Sequence, residues 1–235
     1  MNLRAHSASV GRWARAGAAV AAGFYVGNAA LAWWRYGKVR GAPADAADTL
    51  LDGFMPQYDV VERHQIRVDA PAEATLSAAR NIDLMGNPLA RAIFKARELV
   101  LRAKPDEGAH ARGILDTTLS IGWVVLAEVP GREIVVGAVT KPWASNVVFR
   151  SIPPSLFAQF AEPGYVKIVW TLRADPIDGG RSIFRTETRA VATDAFARRK
   201  FRRYWAFASP GISLIRRVTL RPLKDEAERV PFAQT

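Results

Sequence analysis

Apolar and polar residues alternate from Tyr58 to Asp69. Tyr58, Val60, Glu62, His64, Ile66 and Val68 fall on one face, and Asp59, Arg63, Gln65, Arg67 and Asp69 mostly fill the other. A period of two marks a half-buried strand. Asp69-Ala70-Pro71 ends it and opens a helix, because proline fits a first helical turn. Leu89, Ile93, Ala96 and Val100 then recur at helical spacing and predict a second helix over 88–102, followed by a polar loop over 104–112. The centre of the chain reads as a meander. Residues 123–129 and 133–140 are apolar, β-rich runs joined at Pro130-Gly131, and 146–150 is a further short strand. Residues 156–160 make one helical turn, closed by Pro163-Gly164. Residues 165–174 and 182–192 follow as a hairpin, with a longer loop through Asp175-Pro176 and Asp178-Gly179-Gly180. Short turns between consecutive strands imply an antiparallel sheet.

Asp194 is placed to cap a last helix, in which Phe201, Tyr204, Trp205 and Ala208 stand at i, i+3, i+4 and i+7. Ser209-Pro210-Gly211 is expected to kink or break it. The apolar pattern resumes with Ile212, Ile215 and Val218 and ends by Pro222. At the other end, Ala16 to Trp34 is a nineteen-residue run without a charge, between Arg12 and Arg15 on one side and Arg35, Lys38 and Arg40 on the other. That length can span a bilayer, and Trp33, Trp34 and Tyr36 stand where an aromatic belt would sit. Its Ala- and Gly-rich composition, with Asn28 inside, makes insertion marginal, and Ala30-Leu31-Ala32 offers a signal-type cleavage site. A single retained N-terminal anchor is the working expectation, beside a cleaved signal or a surface-lying or soluble helix. Basic residues flank both ends almost equally and give no orientation. The resulting plan is an apolar helix over 1–40, a polar linker over 41–55, an α+β domain over 56–229 and a tail over 230–235. In the domain, a curved antiparallel sheet wraps around the long C-terminal helix.

Composition narrows the chemistry. With 235 residues, 49% of them hydrophobic, a sizeable core is expected. The absence of cysteine excludes disulfides, thiolate metal sites and a cysteine nucleophile. His6, His64 and His110 have no zinc-binding spacing, so neither metal nor cofactor is expected. The net charge of +11 is uneven: residues 1–55 carry six Lys/Arg against three acids, 195–221 carry eight against none, and the remainder balances. The dense stretch comprises Arg198, Arg199, Lys200, Arg202 and Arg203 with Arg216, Arg217 and Arg221. Anionic lipid headgroups suit it better than nucleic acid does, because the same chain carries an apolar segment; a plain solvated face is the alternative. Nothing in the pattern bears on oligomeric state.

A strand, two helices, a meander and one long amphipathic helix is an order that resembles the START-like superfamily, also called the helix-grip or polyketide-cyclase/lipid-transfer (SRPBCC) group. The resemblance rests on His64-Gln65-Ile66-Arg67-Val68-Asp69-Ala70-Pro71-Ala72-Glu73 and on the stripe from Phe201 to Trp205, and covers roughly residues 58–229. It implies a cavity between sheet and last helix that holds lipids, sterols, plant hormones or polyketides, with cyclisation or dehydration in some members. The expected function is binding or transfer of an apolar small molecule or lipid at a membrane; the alternative is a polyketide cyclase- or dehydrase-like enzyme in the same cavity. The resemblance brings no family-wide catalytic residue.

Candidate residues come from strand parity instead. If Ile66 and Val68 face inward, so do Glu62 and His64, about 7 Å apart along the strand. A carboxylate that holds an imidazole is a usable general base; at a sheet rim, the two would simply pair with neighbouring arginines. Trp123, Trp143, Trp170, Phe184, Tyr204 and Trp205 are either pocket lining or ordinary core, and Thr186 and Thr188 could supply hydroxyls. Arg185, Glu187 and Arg189 fall on the opposite face and read as a solvated charge ladder beside Lys167 and Arg173.

Overall fold

A computed structural model describes residues 19–20, 22–38, 43–83, 86, 91–92 and 113–229. The expected helix over 88–102, apart from the helical Arg91 and Ala92, and the loop over 104–112 lie outside the described residues. So do the basic residues before Ala16.

The chain is α+β. Helical residues 19–20 and 22–35 (α1) precede a short 3-10 turn at Ala44–Ala46 and helix α2 (Thr49–Phe54). Strand β1 (Val60–Val68) leads to α3 (Ala72–Asn81), then α4 (Ile114–Ser120). Next come β2 (Val124–Val129), β3 (Glu133–Thr140), α5 (Pro154–Phe157), β4 (Val166–Asp178) and β5 (Arg181–Ala192), and α6 (Ala195–Arg229) closes the fold. The five strands form one antiparallel sheet in the order β1-β5-β4-β3-β2, packed against α6.

Strand parity decides what meets α6. The inner face presents Val60, Ile66 and Val68 from β1, Phe184 and Ala190 from β5, and Ile168, Trp170 and Leu172 from β4. Along α6, Ala197, Phe201, Trp205, Ser209, Leu223 and Ala227 are buried at helical spacing. One end of the interior joins Phe201 and Trp205 to Val60, Val166 and Ala192; the other joins Leu223 and Ala227 to α3, Trp170 and Phe184. Buried hydroxyls fasten α3 to the sheet: Thr75 and Ser182 share a 2.8 Å hydrogen bond, and Ser182 donates to the Ala70 carbonyl.

Four expectations change. First, α6 neither breaks at Pro210 nor stops at Pro222; both prolines lie inside one helix of 35 residues. An interior proline costs about 3 kcal/mol, but the segments on either side are each pinned to the sheet and α3 by buried side chains. Second, the β4–β5 hairpin turns tightly at Gly179-Gly180, with Gly180 N–H donating to Asp178, because β4 continues through Pro176. Third, residues 146–150 supply only the bridge between Arg150 and Val139, since β2 already occupies β3 from Glu133 to Gly137. Fourth, residues 49–54 are not open linker. Asp48 caps α2 by accepting from Leu51 N–H at 2.8 Å, and Leu51 and Met55 are buried on the outer sheet face with Val135, Val139, Phe157 and Val169. Gly137 lets Leu126 and Phe157 close over the sheet in this cluster, because a Cβ there would stand 2.5 Å from Leu126 and 2.9 Å from Phe157.

That cover changes the outer-face charges too. Arg189 is 2% exposed rather than solvated. It donates to Glu187 at 2.7 Å, to the Met55 carbonyl at 2.8 Å and to Asp52, and its guanidinium lies 4.6 Å from the Tyr58 ring centre. Arg63 grips the same Glu187 carboxylate through two hydrogen bonds of 2.9 and 3.0 Å. Glu133 is also buried there. Burial, reinforced by the adjoining Asp48 carboxyl and opposed by Arg173, pushes its pKa up to about 8.

Two outcomes follow from this packing. Trp205→Ala is expected to destabilise the protein by about 3 to 5 kcal/mol in urea unfolding, the usual cost of emptying a buried aromatic site; a change within about 0.5 kcal/mol would mean that Trp205 is not held by the sheet. Glu133 stays protonated in the fold at pH values where the unfolded chain ionises, so its contribution to stability falls as pH rises from 4.5 toward 8. Thermal unfolding across that range should therefore show Glu133→Gln gaining on the wild type as pH rises; parallel profiles would exclude this role.

Candidate functional site

The two apolar clusters of the interior do not meet directly along β1, β5 and α6. In β1, Val60 belongs to one cluster and Ile66 and Val68 to the other, with Glu62 and His64 between them. In β5, Ala190 and Phe184 are likewise separated by Thr188 and Thr186. The pairing register sets Glu62 opposite Thr188 and His64 opposite Thr186. On α6, Ile212 packs with the first cluster and Leu220 and Leu223 with the second, and Arg216 falls in the interval. Five polar side chains thus form a layer across the interior, bounded on either side by hydrocarbon.

Hydrogen bonding in the layer centres on Thr186. Its Oγ1 accepts from Trp170 Nε1 at 2.6 Å and from Arg216 Nη1 at 2.9 Å. The Arg216 guanidinium also lies 5.5 Å from the Trp170 ring centre, close enough for a cation–π contact. Burial pushes the Arg216 pKa down to about 10, with the charge of Glu62 opposing that fall, so the group remains cationic at neutral pH. The Glu62 Oε2 and His64 Nε2 atoms are 3.4 Å apart, without the geometry of a hydrogen bond. Among the described residues, three buried side-chain atoms have no protein hydrogen-bond partner: His64 Nε2 and Thr188 Oγ1 in this layer, and Glu133 Oε1 on the outer face of the sheet. An unsatisfied buried polar group costs about 1 to 3 kcal/mol, and two of them share one layer with a buried cation.

The parity argument thus places Glu62 and His64 inside, close to each other and to Thr186 and Thr188. By local pattern alone, Arg216 belongs to the basic stretch. The available signal was its helical phase, four residues after Ile212 and eleven after Trp205, which becomes visible only if the helix runs unbroken through Pro210. Trp170, Phe184 and Trp205 are buried; Trp123 packs at the edge of one cluster and Tyr204 beside the other. The structure brings Trp170 to Thr186 by a direct bond but leaves Tyr204 and Trp205 in the other cluster. Among the described residues, no group of three or more His, Asp or Glu side chains could hold a metal ion.

The basic stretch divides by helix face. Arg198 pairs with the buried Asp59 at 3.1 Å, and Arg202 donates to the Trp33 carbonyl and lies 4.2 Å from that indole centre. Arg199, Lys200 and Arg203 point to solvent. Two clefts open on the surface. One, of about 440 Å³, is bordered by Arg150, Ile152, Leu156 and Phe160. The other, of about 290 Å³, lies under the 3-10 turn, bordered by Asp48, Arg63, Arg173, Arg185 and Glu187, with His64 and Thr186 also at its edge. Among the described residues, no helix is long and apolar enough to cross a membrane.

No family model matches the chain, and no curated protein matches it. Several solved structures are similar to it, three of them as follows. A hypothetical protein from Helicobacter pylori aligns over 80% of this chain and 99% of its own, at 8% identity and a TM-score of 0.39. A protein from Chromobacterium violaceum aligns over 66% of this chain and 95% of its own, at 14% identity and a TM-score of 0.24. The Zhui aromatase/cyclase from Streptomyces sp. R1128 aligns over 72% of this chain and 94% of its own, at 13% identity and a TM-score of 0.22.

Proposed function

We propose that the domain is of the helix-grip type and holds an amphipathic small molecule between the sheet and α6. The ligand's apolar body would lie against one of the two clusters, and its polar end would reach the layer of Glu62, His64, Thr186, Thr188 and Arg216. The observation that carries this reading is the pair of unsatisfied buried atoms, His64 Nε2 and Thr188 Oγ1, in the same layer as the Arg216 guanidinium. A purely structural interior would gain by replacing such groups with hydrocarbon. A ligand carrying a carboxylate, phenolate or carbonyl oxygen would accept from Arg216 and from the Thr188 hydroxyl.

A second reading uses the same interior for proton transfer, as in a polyketide cyclase or dehydrase. It draws on the 3.4 Å approach of Glu62 to His64, which would orient the imidazole and stabilise its cationic form. Binding alone is favoured, because the unsatisfied groups and the cation call for a held polar group without requiring turnover.

The binding reading is tested on the purified full chain by organic extraction with mass spectrometry, and by titration with 8-anilinonaphthalene-1-sulfonate, an apolar probe with one anionic group. Arg216→Met should weaken probe binding by at least about tenfold, the lower range for a hydrogen bond to a charged group. Unchanged affinity, together with an empty extract, would overturn the proposal.

Stability should move the opposite way at the neighbouring site. Thr188→Val removes a buried hydroxyl with no partner while keeping its shape, and is expected to raise unfolding free energy by about 1 kcal/mol in extracted protein. A loss of similar size would show that the hydroxyl is already satisfied in the free protein.

A further inference from the structure

We infer that α1 and α6 together form a peripheral docking face for an anionic membrane surface, with α1 lying along α6 rather than crossing the bilayer. The inference is independent of what fills the interior. It rests on three observations: how α1 is held, which side of it is left bare, and what the bare side of α6 carries.

Helix α1 is fastened to α6 along its length. Near one end, the Tyr25 ring lies edge-on to Phe207 at 6.0 Å, and its hydroxyl donates to the Phe207 carbonyl. Toward the other end, Trp33 receives Arg202, and Tyr36 meets Phe201 at 5.9 Å. The residue order runs opposite to that of α6, so the two helices pack antiparallel. Tyr36 is also hydrogen-bonded to Asp59, and Gly37 N–H donates to the Asp59 carbonyl at 2.8 Å, which ties the end of α1 to the start of β1. A helix inserted across a bilayer would have to give up these contacts.

At 100° per residue, Tyr25, Ala29, Ala32 and Tyr36 share the side turned to α6. Val20, Phe24, Leu31 and Trp34 share the opposite side, and they are 74%, 74%, 40% and 61% exposed. Four large apolar side chains in one exposed stripe exceed the isolated surface residue that needs no explanation.

On α6 the same phase count is informative. The side opposite the buried Phe201, Trp205 and Leu223 carries Phe196, Lys200, Arg203, Leu214 and Arg217, all exposed, and Phe207, which is partly covered by Tyr25. Arg199 and Arg221 flank this stripe, which extends for about 32 Å along the helix. It alternates cations with apolar rings and chains, and no acid occurs between residues 195 and 221.

Bare apolar groups interleaved with cations fit an interface that offers hydrocarbon beneath a layer of negative charge. A second copy of the chain would bring the same cations against these and be repelled. Nucleic acid would neutralise the arginines but leave Val20, Phe24, Leu31 and Leu214 exposed to water.

The test is cosedimentation of the full chain with vesicles of phosphatidylcholine alone and of phosphatidylcholine with phosphatidylglycerol, across a salt series. Binding is expected only to the anionic vesicles, weakening with added salt, and a carbonate wash should release the bound protein. Lys200→Glu with Arg203→Glu and Arg217→Glu should weaken binding at least about hundredfold, given the attraction of each cation to an anionic surface. Phe24→Ser with Trp34→Ser should weaken it without altering the salt dependence, and circular dichroism reports whether each variant is folded. If a variant does not fold, the wild-type salt series and the carbonate wash decide the matter. The proposal is overturned if the wild type ignores anionic vesicles at low salt, binds neutral ones equally, or resists carbonate. It is also overturned if the chain forms a dimer that the apolar double variant abolishes, or binds duplex DNA in preference to vesicles.

Discussion

The inner architecture depends on α6 keeping one helical phase from Ala195 to Arg229. Its first half is held by Phe201 and Trp205 at one end of the sheet, and its second by Leu223 and Ala227 against α3 at the other. A bend large enough to change the phase at Pro210 would take Arg216 off the sheet side and leave Thr186 with Trp170 alone. Proline removes one backbone hydrogen bond, whereas each half of the helix buries several apolar side chains; the larger contribution sets the geometry.

The polar layer is placed by counting as much as by affinity. Alternate positions on β1 and β5 must face α6 once Val60, Val68, Phe184 and Ala190 do, so Glu62, His64, Thr186 and Thr188 are carried inward by parity. The outer face shows the opposite treatment of charge. There Arg63, Glu187, Arg189 and the half-exposed Asp52 of α2 neutralise one another, each with a close counterion in the set. Buried charges of this kind are costly to separate but contribute little net stability as a set. That set is closed on itself, whereas the inner face retains an arginine whose bonded partner is a neutral hydroxyl.

What could be read from the chain tracks the range of the interaction responsible. Half-buried strands announce themselves within a few residues, so β1, β3, β5 and the inward direction of Glu62 and His64 were legible. The role of Arg216 was not, because its phase is inherited from Trp205 across a proline that local propensity treats as a stop. The charge ladder Arg185, Glu187 and Arg189 reads as solvated because the segment that covers it, Asp48 to Tyr58, looks like a polar linker; its packing is carried by Leu50, Leu51, Phe54, Met55 and Tyr58, spaced by a short helix rather than by a strand. Helix α1 was read by length and hydropathy alone, and its partner on α6 lies more than 160 residues away.

That last separation has a consequence for how the chain is made. Asp59 accepts from Tyr36 and from the Ala192 N–H and pairs with Arg198, joining the beginning of the fold to its final strand and helix. Helix α1 therefore leaves the ribosome with its tyrosines and its exposed stripe both unpartnered, and it stays so until residues 195–229 have been synthesised. At about 5 to 20 residues per second, that wait lasts on the order of ten seconds or more. For that interval α1 is a nascent helix without a fold, open to whatever chaperone or membrane surface reaches it first.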